Sequence, residues 1–171
     1  MKSIVIYSSL TGNTKQVAEA ITSVLPAGTP CVSMKEVPSD ISSYDLVFAG
    51  FWVDKGTANK EARDVLGTLH NPHIALFATA GVPPQMAHAK ESLINAANCL
   101  PDGVEPVGTF ICQGKVDPKV IEMMYKMFPK GHSHGQSADR DARHKQAAVH
   151  PNEDDFKAAQ DFAQYILAKL D

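Results

Sequence analysis

This chain has few of the features that mark specialised chemistry or location. Among 171 residues there are only three cysteines, Cys31, Cys99 and Cys112. Their number is odd and they form no CxxC pair, which excludes a disulfide framework and a thiolate metal knuckle, and suits buried reduced thiols in a reducing compartment. No apolar stretch is long enough to span a bilayer, and the opening Met1-Lys2-Ser3-Ile4-Val5-Ile6 is too short for a secretory apolar core. A cytoplasmic protein with no membrane span is therefore expected. Basic charge is scarce too. The formal net charge is −3, and no basic face with interleaved aromatics is present, so nucleic acid is not an expected partner. There is a single tryptophan, Trp52.

What is present is an alternation of two periodicities. Ile4-Val5-Ile6-Tyr7, Asp45–Gly50 and His73–Thr79 are continuous apolar, β-prone runs, as expected for strands buried on both faces. Pro30–Met34 is a weaker strand and Val107–Cys112 the last one. Between them, apolar residues recur at helical spacing. Val17, Ala20, Ile21, Val24 and Leu25 predict one helix, stopped by Pro26. Ala58, Ala62, Val65, Leu66 and Leu69 predict a second, and Met86, Leu93, Ala97 and Leu100 a third. Asp117-Pro118 is an N-cap followed by proline, opening a helix that is expected to pack Val120, Met124, Met127 and Phe128. Ala159, Phe162, Ala163, Ile166, Leu167 and Leu170 predict a closing helix.

Strands alternating with helices imply an α/β fold, a parallel sheet covered on both faces by right-handed crossovers. Five strands at this spacing suit a doubly wound sheet of order 2-1-3-4-5, whose ligand crevice opens at the carboxyl ends of strands 1, 3 and 4. A single domain over residues 1–171 is expected, with a long irregular loop at 129–152. That loop collects His132, His134, His144 and His150, and sets Lys130, Arg140, Arg143 and Lys145 against Asp139 and Asp141. It has no third ligand at a spacing that would favour a metal, and a docking or lid role is the sharper reading of it.

The loop between the first strand and first helix is unusually rich in hydroxyls. Ser9, Thr11 and Thr14, with the Asn13 amide, can surround phosphate oxygens at a helix N-terminus without any lysine, and Gly12 lets the backbone come close. The Gly-Lys-Ser/Thr ending of a nucleotide triphosphate loop is absent. Ser9-Leu10-Thr11-Gly12-Asn13-Thr14 resembles the phosphate loop of the flavodoxins, Ser/Thr-x-Thr-Gly-Asn-Thr, and the resemblance extends to strand order and length.

The resemblance implies FMN as cofactor, held by its phosphate at Ser9, Leu10, Thr11, Gly12, Asn13 and Thr14. It also implies that the stretch after the third strand, Phe51, Trp52, Val53, Asp54, Lys55 and Gly56, lies against the flavin ring. Trp52 is the expected stacking residue, with Phe51 able to exchange roles with it, and Gly56 is the expected peptide partner of the ring's N5 edge. Lys55 departs from the acidic surface of typical flavodoxins, and a cation there is expected to ease the second one-electron reduction; Lys115, in Cys112-Gln113-Gly114-Lys115, is a second lysine expected along the same sheet edge. The third loop offers Thr79, Ala80 and Gly81 for backbone contacts but no aromatic residue, leaving one ring face for another molecule or another segment. The function implied is an electron carrier that passes electrons to or from a partner reductase or oxidase. Two alternatives stay open: a self-sufficient FMN-dependent quinone reductase or porphyrinogen oxidase, and a binding module of the same fold without flavin.

Overall fold

The computed structural model describes residues 1–171. Its strands are β1 (Ser3–Tyr7), β2 (Cys31–Ser33), β3 (Leu46–Asp54), β4 (Thr57–Ala58), β5 (His73–Ala80) and β6 (Gly108–Gln113). Its α-helices are α1 (Asn13–Thr22), α2 (Lys60–Leu66), α3 (Ala87–Ala97), α4 (Pro118–Met127), α5 (Ala138–Ala147) and α6 (Glu153–Leu170). Five strands form a parallel sheet in the order β2-β1-β3-β5-β6, and β4 pairs only with the end of β3. Counted without β4, this is the doubly wound order 2-1-3-4-5.

The strand alternation splits the core between the two faces of the sheet. Ile4, Ile6, Val47, Phe51, Leu76 and Ala78 face Ala62 and Leu66 of α2 and Ala96 of α3. Val5, Phe48, Phe77 and Cys112 face Val17 and Ile21 of α1 and Ala159, Ala163 and Ile166 of α6. Each fully buried Phe, Ile or Leu side chain contributes about 1.5–3 kcal/mol relative to exposure. Helix α6 is the best capped. The Asn152 side-chain oxygen accepts from the Asp154 and Asp155 N–H groups, and the Asp155 carboxylate accepts from the Asn152 N–H.

Several elements differ from the sequence expectation. The third strand does not stop at Gly50: β3 continues through Asp54 and turns back into β4 over Lys55 and Gly56. Both turn residues have positive φ (50° and 78°), as a two-residue hairpin turn requires. In α3 the fully buried positions are Ala89, Ser92 and Ala96, while the expected Leu93 and Ala97 pack half-buried against the same core. The expected packing of α4 is also corrected. None of its residues is buried, and Val120 and Met127 are 38% and 64% exposed.

Residues 129–152 are not irregular throughout, because α5 occupies Ala138–Ala147. Its apolar content is too low to show a periodicity. It is held instead by polar contacts, including the Ser137 cap and a 3.0 Å hydrogen bond from the Tyr125 hydroxyl to Asp141. The histidines of this region have local partners. His132 stacks on Phe128 at 4.6 Å, His144 lies 3.1 Å from the Tyr125 hydroxyl, and His150 pairs with Asp155 at 2.6 Å. No three His, Cys, Asp or Glu side chains come together as metal ligands, and no helix is long and apolar enough to cross a membrane.

Candidate functional site

A cleft of about 240 Å³ opens at the carboxyl ends of β1, β3, β5 and β6. Its walls come from four segments. The loop after β1 supplies Ser9, Leu10, Thr11, Asn13 and Thr14; the end of β3 supplies Trp52, Val53 and Asp54; β5 and its turn supply Thr79, Ala80 and Gly81; and the stretch after β6 supplies Gly114, Lys115, Val116, Asp117 and Val120.

The phosphate-loop candidates converge at the start of α1. The N-cap is Gly12, in a left-handed conformation (φ 98°) that favours glycine, and no side chain caps the helix. The backbone N–H groups of Asn13, Thr14 and Lys15 have no acceptor in the protein. Such N–H groups, with the helix dipole behind them, favour an anion. The Ser9 hydroxyl accepts from the Gly12 N–H at 3.1 Å, which closes the loop on itself. Ser8, immediately before it, is buried behind the cradle. Its hydroxyl donates to Glu61 and accepts from the Asn59 amide at 2.8 Å, anchoring the loop to the start of α2.

At the cleft floor the hydroxyls of Thr14 and Thr79 lie 2.9 Å apart, both almost fully buried. One donates to the other, so the pair retains one hydroxyl proton to offer elsewhere. This bond joins the loop after β1 to the end of β5. The donor set, unpaired amides with small hydroxyls around them, fits the phosphate end of a flavin mononucleotide.

In the second loop, strand alternation separates Phe51 from Trp52. Trp52 is half-buried and lines the cleft, whereas Phe51 is 0% exposed and belongs to the core on the α2 and α3 face. The suggestion that Phe51 exchanges roles with Trp52 is therefore corrected: successive side chains of a strand point to opposite faces. Lys55 and Gly56 do not line the cleft either. They form the tip of the β3–β4 hairpin, and the Gly56 carbonyl accepts from the Asn95 amide of α3 at 2.8 Å. The reach of the hairpin carries them away from the site.

The sequence expectation brought Lys115 to this sheet edge but did not assemble its neighbours into a fourth wall. Gly114 N–H bonds the Ala80 carbonyl at 2.8 Å, extending the sheet by one residue and leading Lys115 to Val120 along the cleft. Gly114 has no Cβ, and one placed there would sit 2.8 Å from the Asn13 amide nitrogen. The close packing of Asn13 on this backbone requires that space. The Asn13 amide in turn donates to the Lys115 carbonyl at 2.8 Å. Val116 and Val120 supply the apolar surface that the third loop lacks. In the sequence this wall was signalled by the Asp117-Pro118 helix start and by Gly114-Lys115 at the end of the last strand.

Residues 4–164 match the flavodoxin domain family. The chain belongs to that family. Across 99% of its length it is 35% identical to the flavodoxin-like domain-containing protein BilS of Clostridioides difficile strain CD3, of which the match covers 98%. The fold is similar to that of the Streptococcus pneumonia TIGR4 flavodoxin, with a TM-score of 0.57, 15% identity and 98% of each chain covered. It is also similar to a Lactobacillus acidophilus NCFM flavoprotein solved in complex with FMN, with a TM-score of 0.52, 18% identity, and 65% of this chain and 93% of that one covered. In this flavodoxin-family chain the cleft occupies the topological switch point, where the connections leaving the adjacent strands β1 and β3 run to opposite faces of the sheet.

Proposed function

We propose that this chain is an FMN-dependent electron carrier that exchanges electrons with a partner oxidoreductase. The observation that carries the cofactor is the uncapped start of α1, where three unpaired N–H groups meet the hydroxyls of Thr11 and Thr14 at the switch point of a flavodoxin-family sheet. Bound FMN would supply redox chemistry that no side chain in the cleft offers. The chain's own part is to hold and shield it. The α1 N-terminus and its hydroxyls hold the phosphate, Trp52 flanks the ring, and Val116 and Val120 keep water from one side of it.

Transfer to a partner is supported by the rim of the cleft. Leu10 is 65% exposed and Val120 38%, both lining the opening, and α4 continues the apolar surface with Met123 at 57%. A protein docking there would bury these side chains and come within reach of the ring. The 129–152 segment, which follows α4, carries a net positive charge and suits an acidic partner surface. The three free thiols suit a reducing compartment such as the cytoplasm.

Two measurements test this. Titration of the apoprotein with FMN and riboflavin is expected to show FMN binding at least about tenfold tighter, the phosphate being the difference. Equal affinities would remove the cofactor assignment. Reduced holoprotein is then expected to pass electrons to an added acceptor protein but to show no sustained NAD(P)H–quinone turnover alone. Rapid turnover alone would replace the carrier with a self-sufficient reductase.

A further inference from the structure

We propose that Lys115 is the cation of the phosphate end of this cleft, brought to a neutral loop from the opposite edge of the sheet. The proposal rests on the FMN reading and goes beyond it, because the phosphate loop, Ser9 to Thr14, contains no basic residue. The nearest basic residue in sequence, Lys15, points along α1 toward Glu19, 3.8 Å away. Lys115 is the only basic residue lining the cleft.

Its backbone is fixed on both sides. The Lys115 N–H donates to the His150 carbonyl at 2.8 Å, and its carbonyl accepts from the Asn13 amide at 2.8 Å. His150 is itself held by Asp155 of α6. The base of the side chain is thus tied to the phosphate loop and to the helix behind it, while the side chain stays exposed and free of any ion pair. The other charged residues of the cleft are Asp54 and Asp117. Asp117 is engaged as the N-cap of α4, accepting from the Lys119 N–H at 2.8 Å.

Lys115 also borders a second pocket, shared with Thr11, Asn13, Asp117 and Pro118. The cleft and this pocket meet at Thr11, Asn13, Lys115 and Asp117. A dianionic phosphate held at the start of α1 would lie beside these residues. Amides and hydroxyls can satisfy its oxygens but leave its charge uncompensated, and a lysine at the rim reduces that charge without entering the cradle.

The test compares FMN and riboflavin affinities of the wild type, Lys115→Gln and Lys115→Arg, at low and at physiological ionic strength. Lys115→Gln is expected to bind FMN about three- to tenfold more weakly with riboflavin affinity unchanged, and Lys115→Arg to retain wild-type preference. Added salt is expected to weaken FMN binding more in the wild type than in Lys115→Gln. An FMN-to-riboflavin ratio unaltered by Lys115→Gln would overturn the proposal. So would an equal loss for both ligands, which marks a structural role. If the wild type itself does not distinguish the two ligands, the FMN reading fails instead, so the two failures are separable.

Discussion

The side-chain amide of Asn13 donates a 2.8 Å hydrogen bond to the main-chain carbonyl of Lys115, 102 residues further along the chain. It closes the cleft by joining the first loop to the segment after the last strand. We expect Asn13→Ala to bind FMN about five- to tenfold more weakly, the equivalent of one hydrogen bond of about 1 kcal/mol. Amide hydrogen exchange should rise in the 114–120 segment of the same variant. Unaltered protection there would mean that the segment is held by its sheet and His150 contacts alone.

Trp52 and its neighbour should separate cleanly in a mutational test. Trp52→Ala is expected to fold normally and to bind FMN about tenfold more weakly, with the flavin-dependent quenching of tryptophan emission seen only in the parent. Phe51→Ala should instead lose about 3–5 kcal/mol of stability, since it removes a fully buried ring. Denaturant unfolding beside FMN titration checks both.

The buried Thr14–Thr79 pair predicts a non-additive cycle. Thr14→Val leaves the Thr79 hydroxyl unpaired and should cost about 1–3 kcal/mol, as should Thr79→Val. The double variant is expected to cost clearly less than the sum of the two, because no orphaned hydroxyl remains. Strict additivity in chemical denaturation would show that the two hydroxyls are not coupled.

Lys55 serves as the control for Lys115. It lies at the hairpin tip, exposed and outside the cleft lining. Lys55→Gln is expected to alter FMN affinity by less than about twofold and the potential of the bound flavin by less than about 20 mV. A larger drop in a potentiometric titration would mean that the hairpin folds toward the ring.

Burial pushes the Cys112 thiol up to about 12, with Asp155 adding in the same direction. The folded state therefore holds this proton more tightly than the unfolded chain, whose thiol titrates near 9.0. The associated stability is fully present below that value and is lost as pH rises through the interval up to about 12. At pH 8 Cys112 should resist a thiol-directed disulfide reagent in the native protein and react on unfolding. Rapid native-state labelling of Cys112, located by peptide mapping, would contradict the burial.

Much of the fold was legible because its signals are local. Strands such as Ile4–Tyr7 and His73–Thr79 are apolar on both faces, and α1 and α6 repeat their apolar residues every three or four positions, so each segment reveals what it must bury. The phosphate-loop candidates were legible for a related reason: Ser9 to Thr14 are contiguous, and a single strand-to-helix turn brings their donors together. The packing of helix α4 was misread. Apolar residues left at the surface in α4 invert the usual relation between hydropathy and burial. Tertiary structure alone decided which of Phe51 and Trp52 faces the cleft, since that depends on β3 continuing past the sheet and keeping its alternation. It also decided that Lys55 turns away while Lys115 comes to the rim. Those positions follow from sheet order, which places β6 two strands from β3, and from a hydrogen bond between residues 102 apart. Sequence periodicity carries no record of such a contact, because it arises only once the strands have assembled.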